Sequence, residues 1–390
     1  MKPTRLINAA IVTEEGVLAG GTITFTEGRI VSIEPASNSA APFEGETIDA
    51  AGGWVLPGFV DVHVHGGYGG DFMDASAESL DKITRFHGGN GTTSIVATTV
   101  TASREDISRV LASVHAYRQQ PMPGAQVVGV HLEGPFVNPK WKGAQNPAYM
   151  LPPQKEWLVE WTKQYPGLIR QVTLAPEIEG ALDLIEWLSV SGIVAAAGHT
   201  DATYDQIEAA IERGLSQAVH TYNAMTPLHH RNPGTVGAVL TDPRIHAEVI
   251  ADGHHVHPAA IRLVTLVKND HNLLLITDAM AAAGLGDGLY DLGGLAVNVK
   301  AGVATLAEGN SLAGSTLTMI EALRFVVEKV GLTVPEASVM ASGNPARQLG
   351  LFEQTGSLAV GKQADVLLVS SGLKLERVWA KGNPVEVFAN

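Results

Sequence analysis

Seven residues that can bind metals or move protons fall at recurring places in this chain: His63 and His65 in DVHVHG, Glu133 in HLEGPF, His199 in AGHT, His220 in HTYNAM, His255 in ADGHHV and Asp278 in TDAM. Imidazole and carboxylate without sulfur form the ligand set of hydrolytic sites that use zinc or another first-row divalent ion. The chain contains no cysteine, which removes disulfides, thiolate ligation and thiol catalysis together. His63 and His65 would share one face of a strand, since side chains alternate with period two. A lone His-x-His is a weak signal, and a histidine taken singly is more often a satisfied core or surface side chain than a ligand. That ordinary reading is given to His87, His115, His229, His230, His246, His257 and His271, which lie off the strand ends or beside the ligand candidates. For Asp278 it would be a helix cap before AMAAAG. The joint pattern argues otherwise, because buried polar groups need partners and one shared cation would serve them all.

Something must bring these scattered residues together. Eight short runs rich in Val, Ile, Leu and Ala, at 58–66, 92–100, 125–134, 169–177, 192–200, 217–225, 246–256 and 272–280, alternate with helix-like segments. This is the texture of a parallel sheet with crossover helices, and eight strands close a (β/α)8 TIM barrel, an α/β fold. Leu80, Ile83 and Phe86 share a helical face, as do Ile107, Val110, Leu111 and Val114. Ser103, and Asp201 or Thr203, are candidate helix caps. The ionisable residues end the first, third, fifth, seventh and eighth runs or, for His220, lie within the sixth. In such a barrel they converge on the C-terminal rim, where active sites of this fold sit. Both ends of the chain are rich in short strands and breakers. The expected domains are a discontinuous β-sandwich from 1–56 and 346–390, and a barrel over 57–345.

Composition narrows the function further. With 390 residues, 45% hydrophobic, the chain can bury a large core, while a formal charge of -14 argues against nucleic-acid or anionic membrane-surface partners. The N-terminal apolar run breaks too early for a signal peptide, and no stretch approaches a membrane span, so the expected location is cytoplasmic.

The motifs DVHVHG, HLEGPF, AGHT, HTYNAM, RNPG, ADGHHV, TDAM and SLAGSTLTM, in this order, resemble the N-acetylglucosamine-6-phosphate deacetylases of the amidohydrolase superfamily across essentially the whole chain. HLEGPF and HxxNAM are the most specific of them. The fourth run ends in Ala175, Pro176 and Glu177, not in the lysine that some superfamily branches carboxylate, which agrees with Glu133 as a ligand. The resemblance implies Glu133, His199 and His220 as principal metal ligands and Asp278 as the catalytic acid-base. His63 and His65 match a second metal position, so one or two divalent ions are expected per subunit: zinc, with iron, manganese or cobalt as alternatives.

For the substrate, the resemblance implies backbone contacts from Asn223 and Ala224, a polar contact from His255, a pocket wall at Leu312 and a phosphate ligand at Arg231 donated across a homodimer interface. Gln145 stands where many members carry a histidine that polarises the amide carbonyl; a glutamine amide donates a hydrogen bond but cannot become cationic. The reaction implied is hydrolysis of N-acetylglucosamine 6-phosphate to glucosamine 6-phosphate and acetate. A metal would acidify the attacking water to a pKa of about 7, and Asp278 would carry its proton to the leaving nitrogen. N-acetylgalactosamine 6-phosphate, differing at C4, is the alternative substrate, and a catalytically silent barrel the alternative of another class.

Overall fold

The computed structural model describes residues 2–36, 43–268, 272–309 and 311–388; His271 lies outside them. Eight parallel strands follow one another in strict sequence order around one sheet. They are Phe59–Val64, Thr92–Thr99, Gln126–Glu133, Ile169–Leu174, Val194–Ala197, Leu215–Ala218, His246–Ile250 and Leu273–Ile276, numbered here as barrel strands one to eight. Every residue of strands one, two and eight is buried, as expected of strands covered on both faces.

Closure between strands one and eight is made mainly at the rim. Asp278 N–H donates to the His63 carbonyl at 2.8 Å, and His65 N–H to the Ala279 carbonyl at 2.8 Å. Below them the Thr277 hydroxyl donates to Asp61 at 2.5 Å. Further down the helical segment after Val334 wedges into the seam, where the Asn344 amide donates to the Leu273 carbonyl at 2.8 Å. The seam therefore lies between the His-x-His pair and Asp278, and its clasps fix their relative position.

Apolar spacing drives the outer helices as expected. In Ala77–Gly89, capped by Ser76, Leu80 and Ile83 are fully buried; in Arg104–Tyr117, capped by Ser103, so are Ile107, Val110, Leu111 and Val114. Each such side chain stabilises the fold by about 1.5–3 kcal/mol. Thr203, rather than Asp201, caps Tyr204–Glu212, in a reciprocal box with Gln206.

The terminal segments pair into one mixed sheet, joined where Trp54–Pro57 runs antiparallel to Val366–Val369. Three strands separate Gly16–Thr26 from Leu375–Ala380 in that sheet, yet the rings of Phe25 and Trp379 meet at 5.3 Å. The sheet thus curls over a private core that includes Leu6, Ile11, Ile23, Val366 and Leu368. An antiparallel meander, Gly288–Leu292, Leu295–Lys300 and Val303–Leu306, follows barrel strand eight. It packs Leu292, Val297 and Val299 against Val100 and Met280, forming a wall over the rim.

His87, expected to be an ordinary histidine, is a core side chain whose Nδ1 has no hydrogen-bond partner among the described residues. It is fully buried, and its Nε2 hydrogen-bonds the Gly66 carbonyl at 2.9 Å. Burial pushes its pKa down to about 4 from an ordinary 6.5. Between these values the unfolded chain binds the proton and the folded one does not, so stability is intact above 6.5 and falls as pH drops toward 4. About 2 kcal/mol should be lost between pH 7 and pH 5 on this account. Urea unfolding of the wild type and His87→Gln at both pH values should show that increment in the wild type alone; equal pH dependence would refute it.

Candidate metal centre and active site

Each rim residue stands where a strand gives way to a loop, and the backbone there is unusual. His199, His220, Ala224 and Asp278 have φ of 48°, 31°, 51° and 50°, the left-handed region that side chains with a Cβ seldom adopt. This abrupt exit shortens the strands. His220, expected within the sixth strand, lies two residues beyond its last residue, Ala218. At Gly134, φ is 82° and a Cβ would meet the Thr101 hydroxyl at 2.2 Å, so only glycine lets the chain turn directly after Glu133.

The side chains converge on Glu133. Its Oε1 is 3.2 Å from His199 Nε2, 3.1 Å from His220 Nε2 and 3.4 Å from His63 Nε2; its Oε2 is 3.3 Å from His65 Nε2. Asp278 Oδ1 lies 3.2 Å from His65 Nε2 and 3.7 Å from His63 Nε2. Two groups, His63 with His65 and Glu133, and Glu133 with His199 and His220, therefore have the proximity needed to hold an ion, and Glu133 belongs to both. Burial opposes ionisation of Glu133, but His63, His199 and His220 hold its carboxyl well below the ordinary range.

The donor chemistry fits a divalent cation. His199 Nδ1 bonds the Trp141 carbonyl at 2.9 Å and His220 Nδ1 the Asn223 carbonyl at 3.1 Å. A carbonyl only accepts, so these nitrogens carry protons, and in the neutral rings that a metal requires the Nε2 lone pairs would face each other across 3.2 Å. That arrangement is repulsive unless a positive charge stands between them. Ligand atoms about 2.0–2.1 Å from a tetrahedral ion stand about 3.3–3.4 Å apart, close to the separations around Glu133. Buried His63 Nε2 also has no hydrogen-bond partner among the described residues, as a nitrogen reserved for a metal would.

A cavity of about 320 Å³ opens above this cluster. His65, Glu133, Gln145, His199, His220, Asn223, Ala224, His255, Asp278 and Leu312 all line it. His63 lies beneath, fully buried. Arg231 stands on an exposed loop with its guanidinium 2.8 Å from His230 Nε2 and is not among the residues lining the cavity. Gln145 has both ends of its amide engaged: Nε2 donates to Glu133 Oε2 at 2.6 Å, and Oε1 accepts from Thr101 N–H at 2.6 Å. His255 Nδ1 is held by Asp252 at 2.7 Å.

Sequence reasoning missed several contributors. Lys140 and Trp141 line the cavity, and both hydrogen-bond Asp201. Glu177, at the end of the fourth run, accepts from Asn138 Nδ2 at 2.9 Å and Asp201 N–H at 2.7 Å, tying the loop after strand three to the end of strand five. Asp61, two residues before His63, could have been found as a charged residue inside an apolar strand.

Proteins of known name resemble this chain over nearly its whole length. The model of the amidohydrolase family matches residues 54–388. The N-acetylglucosamine-6-phosphate deacetylase of Bacillus subtilis (strain 168) is 40% identical over 377 residues, 96% of this chain and 95% of its own length. The N-acetylgalactosamine-6-phosphate deacetylase of Escherichia coli O157:H7 is 42% identical over 372 residues, 95% of this chain and 96% of its own. Among solved structures, a mutant N-acetyl-D-glucosamine-6-phosphate deacetylase from Mycobacterium smegmatis, in complex with N-acetyl-D-glucosamine-6-phosphate, superposes with a TM-score of 0.93 at 36% identity, covering 100% of both chains. The chain belongs to the amidohydrolase family, in the branch that holds the N-acetylglucosamine-6-phosphate deacetylases.

Proposed function

We propose that this protein hydrolyses the acetamido group of N-acetylglucosamine 6-phosphate, releasing glucosamine 6-phosphate and acetate. The observation that carries the reading is the convergence of four imidazoles and two carboxylates, Glu133 and Asp278, on one cavity of sugar size in a chain with this kinship. Glu133, His199 and His220 would hold one divalent cation and His63, His65 and Glu133 a second; nitrogen and oxygen donors suit zinc, with iron, manganese or cobalt as alternatives. Once bound, such a cation supplies Lewis acidity, making a water acidic near neutral pH and polarising the amide carbonyl.

The protein's own groups do the rest. The Asp278 carboxylate accepts a proton from the attacking water as the water oxygen bonds to the carbonyl carbon. The same carboxyl then returns the proton to nitrogen as the C–N bond breaks. Asn223, Ala224, His255 and Leu312 shape the sugar side of the cavity. Acetate release should require metal-loaded protein and stop with chelator; chelator-insensitive turnover would remove this mechanism. N-acetylgalactosamine 6-phosphate, the C4 epimer, is the second reading, favoured by the equally similar relative named for it. Side-by-side kcat/KM on the two sugars decides between them.

A phosphate carries about -1.5 to -2 charges near neutral pH and needs fixed donors in a protein of net charge -14. Arg231 is exposed and does not line its own cavity, which supports a homodimer in which it serves the neighbouring one. No helix among the described residues is long and apolar enough to cross a membrane. A charged sugar phosphate, unable to cross a bilayer unaided, supports a cytoplasmic enzyme. Arg231→Ala should raise KM for the phosphorylated substrate about tenfold or more, the weight of charge-assisted hydrogen bonds, and leave an unphosphorylated analogue unaffected. Equal effects on both would sink the phosphate role.

A further inference from the structure

Beneath the cavity, inside the barrel, lies a buried polar layer that the reaction does not use. Its centre is Glu248, in the middle of barrel strand seven and fully buried. One carboxylate oxygen, Oε2, is 2.8 Å from His63 Nδ1. The other, Oε1, accepts from Gln171 Nε2 at 3.0 Å and from Gln217 Nε2. A carboxylate so enclosed is costly to bury unless its oxygens are satisfied, and here three donors satisfy them.

The consequence falls on His63. A carboxylate accepts hydrogen bonds and offers none, so the proton of the His63–Glu248 bond sits on Nδ1 and Nε2 is left to bind a cation. Nε2 is one of the buried atoms without a hydrogen-bond partner among the described residues, and it faces Glu133 at 3.4 Å. The other three histidines are backed differently. His199 and His220 lean on neutral main-chain carbonyls, while His65 Nδ1 has no hydrogen-bond partner. Among the four, only His63 has its outer nitrogen hydrogen-bonded to an anion, and an anion there raises the basicity of the opposite nitrogen, more so where water is excluded.

We infer that Glu248 is a positioning residue for the cation site of His63, His65 and Glu133, fixing the His63 tautomer and ring so that this site fills alongside the one at His199 and His220. The inference rests on the reading of His63, His65 and Glu133 as a cation site. The two gripping glutamines explain how the carboxylate stays on His63: Gln171 and Gln217 hold one oxygen, which turns the other toward the ring.

Zinc titration of the metal-free protein, with competition by a chelator and elemental analysis of the product, tests this without turnover. The wild type should take up two equivalents. Glu248→Gln should weaken one class by about 10- to 100-fold, the usual effect of removing an outer-sphere partner, and leave the other within about twofold. His63→Asn identifies the affected class by abolishing it. Thr173→Val cuts the same layer at His131, where the Thr173 hydroxyl meets Nε2 at 2.7 Å, without touching His63 or Glu248. It should leave both classes intact. Wild-type affinity at both classes in Glu248→Gln, or an equal loss in Thr173→Val, overturns the inference while the cation site stands. If His63→Asn removes no class, the cation site itself falls and the inference with it. Should Glu248→Gln not fold, zinc-loaded crystals of the wild type serve instead. His63 must then bind through Nε2 with Nδ1 still on Glu248, and ligation through Nδ1 overturns the inference.

Discussion

Replacing Asp278 with asparagine should lower kcat for acetate release by a factor of about 10² to 10⁴, the range for a positioned acid-base group, with metal still bound. The amide is close in shape to the carboxyl it replaces, so the rim geometry survives the exchange. What disappears is the ability to take a proton from water and give it to nitrogen. The surroundings of Asp278 argue for that task. Its main chain is clamped on both sides of the barrel seam, by N–H donation to the His63 carbonyl and acceptance from Ser315 N–H, each within 2.8 Å. Its side chain lines the cavity. Its Oδ1 stands 3.2 Å from His65 Nε2 and 3.7 Å from His63 Nε2, beside the cation site where the attacking water would be made acidic. KM should change little, since the loss is confined to proton transfer. If Asp278→Asn also empties the site of metal, the residue is mainly a ligand and the acid-base assignment is wrong.

The parts of this molecule that follow local rules were legible in the chain. Buried parallel strands need continuous apolar runs, and all eight runs overlap observed strands. Ser103 as a cap and the buried face from Ile107 to Val114 follow from spacing alone. The ligand candidates were legible because a histidine or carboxylate at the end of a buried run demands a partner. What escaped notice depends on contacts between distant segments. The meander after strand eight alternates in GLYDL and LAVNVK around a Gly293–Gly294 turn, a hairpin signal that was open to view. That it would pack on Val100 and wall the cavity is a tertiary fact. Glu248 looks like a stray charge in HAEVI, and only closure of the barrel shows that it faces His63. Lys140 and Glu177 resemble solvated loop residues until the loop after strand three folds over the end of strand five. The curl that joins Phe25 to Trp379 spans nearly the entire chain and has no local signature.

Glu133 is where these arguments meet, because it alone belongs to both histidine pairs. Removing a histidine from one pair should spare the other pair's cation: His199→Asn should leave the His63 and His65 side loaded, and His63→Asn the converse. Glu133→Gln should instead weaken both together, by more than about 100-fold at each, since losing a charged ligand outweighs losing an outer partner. Its effect on bound metal should match that of the two histidine variants combined, and acetate release should fall below detection. The fold should survive. Glu133 sits at the very end of barrel strand three, and the ladder of that strand is made by its main chain. Gln145, whose amide now donates to Glu133 Oε2 at 2.6 Å, can still bond the new amide oxygen. Elemental analysis of the three variants beside circular dichroism separates loss of metal from loss of structure. A Glu133→Gln protein that keeps a full equivalent of zinc would mean that the two pairs are independent and that the shared carboxylate is not the hinge of this site.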